Sequence, residues 1–271
     1  LLIIKCDKKF GSLKHLPYIS VIKLKIMKKL ICSLPKGVKL VITINLIIYI
    51  ITVIIFNLTE YSLKDFLGTY PTYSEHFNTV QVLTSMFVHQ NYPSHFIFNM
   101  ITILIFAPFV ERIIGFNKFI LTYIFCGLCG FLLVNFSYYK NKSTIEKEIT
   151  KLGLKVSDIK MDGDRVSHDY ILSLNDNKQK NVIRNYEYVT SKTYGSSTAA
   201  FGFIILYLLL TPLTFKKIFY IVLGVYFILD NINSVFNNQS ILNGSTYTHL
   251  GGVVGGIIIY CHIKLKRSSI N

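Results

Sequence analysis

Three short clusters carry the side chains best suited to acyl-transfer chemistry: His95 with Asn99, the run Gly195-Ser196-Ser197, and His249 followed by Gly251, Gly252, Gly255 and Gly256. A serine hydroxyl becomes a nucleophile when a base within hydrogen-bond reach takes its proton, and histidine is the usual base. Ser197 closes a small-residue turn, where a hydroxyl stands clear of its neighbours and the N–H groups of a helix N-terminus point toward developing negative charge. Among His89, His95 and His249, only His249 sits on a glycine-lined face made for close helix approach, which makes it the candidate base. His95 and Asn99 are four apart and share a helix face. The expectation is a Ser197–His249 dyad, with Asn99, His95 and the Ser197 N–H stabilising an oxyanion. Glu111 stands ~24 Å from His95 along a helix, so Asp230 is the one acid left to orient His249.

The elements that must position these groups follow from composition. The chain has 271 residues, 51% hydrophobic and 16% charged, with mean hydropathy +0.45, which points to a polytopic membrane protein and excludes disordered, collagen-like and disulfide-scaffold classes. Charge-poor runs at 40–58, 95–110, 119–136, 197–215, 218–229 and 249–263 predict six spans. The second and sixth cross only if tilted or in a thinned bilayer, and the fifth only if it continues through Asp230 toward Phe236. In that alternation the second, fourth and sixth spans run in one direction, so the three clusters start at one depth. Polar groups gathered at one level of a bilayer are a functional signal.

The basic residues orient the spans. Ten lysines precede the first span against one acid, Asp7, while the loop at 59–94 is acid-richer, which places both termini on the cytoplasmic side and the three clusters toward the outer face. The formal net charge of +15 then reads as retention of topology rather than nucleic-acid binding. The chain divides into a basic N-terminal segment (1–39), spans one to three (40–136), a polar outer insertion (137–194), spans four to six (195–263) and a basic tail (264–271). The insertion holds eleven basic and eight acidic residues. Ser143 with Glu146 reads as a capping box opening a short helix that stops at Gly153, and 169–174 and 182–189 read as pairing strands, so the insertion is expected to be a small, independent α/β subdomain. Asp158, Asp162 and Asp164 fail the EF-hand spacing, and Cys126 with Cys129 lacks a second ligand pair, so neither metal nor cofactor is expected. Gly127 and Gly130 beside those cysteines read as a helix-approach face. The 40–58 run is too long for a cleavable signal peptide. Residues 1–26, upstream of Met27, read as an upstream extension or a fragment edge.

These residues resemble the rhomboid intramembrane serine proteases. HFIFN at 95–99 resembles that family's HxxxN, GSST at 195–198 its GxSx, and HLGGVVGG at 249–256 its HxxGxxxG. LTSMFVH at 83–89, ERIIG at 111–115, YIFCGLCG at 123–130 and SSTAAFG at 196–202 extend the resemblance over most of 80–256. It implies an all-α membrane protein, a six-helix rhomboid-like bundle in which Ser197 attacks and His249 is the base. Gly195, Gly252 and Gly256 support the site, and Phe201 lies against the His249 ring. The implied activity is endoproteolysis of single-pass transmembrane substrates near the outer membrane face. Departures from the pattern are Val80-Gln81 in place of a Trp-Arg pair, Thr198 after the serine, one extra residue between His89 and His95, and the long 137–194 insertion. Two other classes remain: a catalytically inactive rhomboid-like protein that binds membrane clients, and a transporter or channel. Inactive relatives typically lack the serine or histidine, and a transporter would carry its charges deep in the spans.

Overall fold

The computed structural model describes residues 32–91, 93–162, 165–212, 218, 221, 222, 224, 225 and 244–268. Most of the fifth expected span, Asp230, most of the basic N-terminal segment and the last three residues of the tail lie outside these.

Helix α1 (Lys36–Thr59) follows Pro35 and ends where Glu60 takes a left-handed conformation, φ 61°. The first loop carries two short helices, α2 (Lys64–Leu67) and α3 (Thr79–Thr84). Asn78 caps α3 by accepting from the Val80 N–H, while the Gln81 side chain accepts from the Asn78 N–H. Helix α4 (Pro93–Ile114) opens at Pro93, whose missing N–H costs nothing in a first turn, and runs through Pro108 unbroken. Gly115, at φ 81°, turns the chain into α5 (Phe116–Lys151), which closes at Gly153 with Leu154 N–H donating to Ile149. Helix α6 (His168–Ser173), α7 (Asn177–Thr190), α8 (Ser197–Leu210) and α9 (Gly244–Ser268) follow in chain order.

Helices α1, α4, α5 and α9 are long and apolar enough to cross a membrane; α8 is apolar but has 14 described residues. The protein is an integral, multi-pass, predominantly helical membrane protein. Its main core gathers Val38, Ile103, Phe106, Phe119, Tyr123, Phe203 and Leu206, with Phe119 stacked on Phe203 at 4.8 Å between centroids. Large apolar side chains such as Ile47, Ile54, Phe98, Leu121 and Leu132 face outward, as a hydrocarbon solvent allows. At the far end of α4 from His95, the buried Glu111 carboxylate accepts from the Gly37 and Val38 N–H groups, each at 2.7 Å, and so caps α1. These are first-turn donors with no partner inside their own helix.

The 137–194 segment differs from expectation. Ser143 begins no helix, because α5 continues through it for 36 residues, about 54 Å, well beyond the ~30 Å hydrocarbon core. The expected strands at 169–174 and 182–189 lie in α6 and α7; the described strands here are the two-residue pair Met161–Asp162 and Arg165–Val166. The buried residues Val182, Ile183 and Val189 pack with Tyr186, a helical spacing, against Ile145 and Ile149 of α5. Nor is this second core independent: Tyr73 of the first loop, Val134 and Tyr138 of α5, and Tyr247 of α9 close it.

Candidate active site

Three helix beginnings meet at one end of the bundle. Gly195, next to the α8 N-cap residue Ser196, holds φ 118°, a conformation that side-chain-bearing residues rarely adopt, and its N–H donates to the Ser85 carbonyl at 2.8 Å. A Cβ there would lie 2.9 Å from His95 Cε1, 3.2 Å from His95 Nε2 and 3.7 Å from Asn99 Nδ2. The turn therefore presses its backbone onto the HxxxN face of α4, and glycine is required both for the dihedral and for the space.

Helix α9 reaches the same turn through its glycines. A side chain at Gly252 would collide with the Thr198 carbonyl, one at Gly256 with Ile205 and Gly202, and one at Gly251 with Gly130 of α5. Gly130 itself is filled by Thr198 and the Thr248 carbonyl, and Cys126 Sγ fills the gap at Gly202. The three helices thus touch backbone to backbone. That approach lays the His249 ring flat on Phe201, at 4.3 Å between centroids and 10° between planes. Phe201 is one helical turn beyond Ser197, so the stack fixes the imidazole beside the start of α8. Ser197 and His249 are half-buried, as is His95, whereas Asn99 is buried.

A second serine and histidine meet here that residue order alone does not pair. Ser196 and His89 are both buried, and Ser196 Oγ shares a 3.1 Å hydrogen bond with His89 Nε2. Burial, with His95 beside it at 5.3 Å between ring centroids, pushes the His89 pKa down to about 3, against a smaller opposing pull from the Phe87 backbone. The ring is neutral at ordinary pH. An N-cap serine normally turns its hydroxyl back onto the first N–H groups of its helix. Ser196 makes no such bond, because its hydroxyl is engaged by His89. The leading N–H groups of α8 are left without a side-chain cap, and Asn99 Nδ2 and His95 Nδ1, buried nearby, have no hydrogen-bond partner among the described residues.

The structure brings Gly195, His95 and Asn99 together, and separately seats His249 on Phe201 with Gly252 and Gly256 against α8. A small cleft opens beside them, lined by Ser85, Met86, Tyr194, Gly195, Thr198 and Thr248. Among the described residues no three His, Cys, Asp or Glu side chains cluster as metal ligands.

Residues 76–154 match the family model of the rhomboid domain. The match covers His89, the His95–Asn99 pair, Glu111 and all of α5, and stops before Ser197 and His249. Neither the curated proteins nor the solved structures compared with the chain match it.

Proposed function

From the premise that this chain is a rhomboid-family protein, by its match over 76–154, we propose that it is an intramembrane serine endopeptidase cleaving single-pass transmembrane proteins near the outer membrane face. The observation that carries the proposal is the diverted cap: the Ser196 hydroxyl is held by His89, so uncapped N–H groups of α8 and the unpartnered Asn99 Nδ2 converge beside Gly195. Buried donors without acceptors are costly unless a ligand supplies the acceptor. A tetrahedral oxyanion is such a ligand.

In this reading Ser197 Oγ attacks the scissile carbonyl carbon as its proton passes to His249. The oxyanion is received by the first N–H groups of α8, by Asn99 and by His95. Collapse expels the amine, which takes the proton from His249, and the acyl-enzyme is hydrolysed by a water that His249 deprotonates in turn. Phe201 holds the imidazole plane through both steps. Gly195, Gly252 and Gly256 contribute by having no side chain. The cleft at Tyr194 and Thr248 suits a small substrate residue, and small or helix-weakening residues also lower the cost of unwinding a transmembrane helix there.

The basic N-terminal segment and tail favour both termini inside, with the Gly195 end of the bundle outside. The polypeptide spans of other membrane proteins and the bilayer itself are the partners; no nucleic acid, metal or cofactor enters. The competing reading, an inactive protein that binds membrane clients, predicts the same helices and no turnover. Purified protein in proteoliposomes with a transmembrane substrate separates the two. Cleavage that is lost in both Ser197→Ala and His249→Ala supports the protease, because the two act as a unit. Binding without cleavage by the wild type, or full cleavage by Ser197→Ala, contradicts it.

A further inference from the structure

The strap that joins α7 to the Gly195 turn is fastened to the first loop at Lys192, Thr193 and Gly195, and to α4 at Tyr194. Lys192 Nζ lies 2.6 Å from Asp65 Oδ1 and donates to Tyr70 Oη at 3.3 Å, with the ammonium 5.1 Å from the Tyr70 ring centroid. Its side chain is only 1% exposed, against 44% for Asp65. Thr193 and Thr69 exchange backbone bonds, 2.8 and 3.0 Å. The Tyr194 ring stands edge-on to His95 at 6.4 Å, and the Gly195 N–H reaches the Ser85 carbonyl. Just upstream, Tyr73 Oη donates to the Val189 carbonyl at the end of α7.

A buried ammonium is costly unless its charge and its hydrogens are met, so Lys192 has one low-energy position, over Tyr70 and against Asp65. That position fixes the register of the two-bond Thr69–Thr193 bridge, and the bridge fixes the approach of Gly195. We infer that Lys192 is a positioning residue for the Gly195-Ser196-Ser197 turn: it pins the 137–194 segment to the first loop, so that this segment holds the reaction centre in place instead of standing apart from it. The inference rests on the protease reading above. It concerns the rate of the chemical step, because Lys192 acts through Asp65 and Tyr70 of the first loop, and a displacement of about 1 Å at a nucleophile costs on the order of 100-fold.

The test compares wild type, Lys192→Met, Lys192→Arg and Asp65→Asn on a fluorogenic peptide in detergent, alongside amide hydrogen exchange. Methionine keeps the apolar stem and removes the charge. The expected result is a tenfold or greater fall in kcat with little change in KM for Lys192→Met, a smaller fall for Asp65→Asn, and substantial recovery in Lys192→Arg. Faster exchange at the Thr69, Thr193 and Gly195 amides accompanies the loss, without a change in the rest of α8. Equal kcat in wild type and Lys192→Met overturns the inference, as does faster exchange with unchanged kcat, which makes the clasp structural only. Should Lys192→Met fail to fold, Asp65→Asn, which leaves the lysine stem packed, decides by the same two readouts. Absence of turnover in the wild type is a separate signature: it overturns the protease reading itself and, with it, this inference.

Discussion

Replacing Glu111 with glutamine separates the holding of the bundle from the shaping of the site. The carboxylate is 5% exposed and accepts two N–H groups at 2.7 Å each from the first turn of α1. Hydrogen bonds to a charged acceptor contribute ~1.5–3 kcal/mol each, and the negative charge at a helix N-terminus adds roughly 0.3–1 kcal/mol. A glutamine oxygen can keep one of the two bonds, but its amide NH2 faces the second donor and repels it. The expected cost is about 2–3 kcal/mol for Glu111→Gln and about 4 kcal/mol or more for Glu111→Ala, which leaves both donors without an acceptor. The gain in side-chain freedom on truncation, under about 2 kcal/mol, does not offset this. Glu111 lies sixteen residues, ~24 Å along α4, from His95, so the loss falls on stability and not on the geometry at Asn99. Equilibrium unfolding in mixed micelles measures the first quantity, and labelling by a serine-directed probe at a temperature where both proteins are folded measures the second. A destabilisation below about 1 kcal/mol for Glu111→Gln, or unchanged stability with abolished labelling, refutes the reasoning.

Two further outcomes follow from the site. His89 is buried in its neutral form with a pKa near 3, below its ordinary value; the unfolded chain therefore takes up the proton first, so stability is full above pH ~6.5 and falls as pH drops toward 3, by about 2 kcal/mol at pH 5. His89→Gln lacks this contribution, and acid-unfolding curves of equal pH sensitivity for variant and wild type contradict the assignment. Asn99→Ala removes an oxyanion donor and lowers turnover ~100-fold or more while leaving the nucleophile able to react with a probe; an unchanged peptidase rate removes Asn99 from the site.

Much of this architecture is legible in residue order, and the parts that are not have physical reasons. The 40–58 and 119–136 runs announce themselves because hydrocarbon tolerates little else, and both lie within described helices. The 95–110 run looked short because its helix is extended by two residues before His95 and by the Glu111-Arg112 end, polar positions that hydropathy discounts. Strands were expected at 182–189 from β-branched and aromatic content. Yet Val182, Ile183, Tyr186 and Val189 recur at helical spacing, and that period, not the residue types, decided the outcome. The close approach of α9 to another helix is legible because its glycines, Gly251 to Gly256, form a local motif, whereas the closeness of Phe201 to His249 is implied only by the resemblance. No local signal joins Ser196 to His89, 107 residues earlier, or Lys192 to Asp65. Both links depend on how the first loop folds over the bundle, and a lysine in a charged segment reads as solvated until its partner is in place.

The central claim is that Ser197, beside His249, is the nucleophile, and the most direct measurement is covalent labelling of the purified protein by a fluorophosphonate probe, with the modified residue located by mass spectrometry. The account predicts one adduct on Ser197, absent in Ser197→Ala and strongly reduced in His249→Ala, with Ser196 unmodified because its hydroxyl is buried against His89. An adduct on Ser196, or no adduct in a folded wild-type protein, contradicts it.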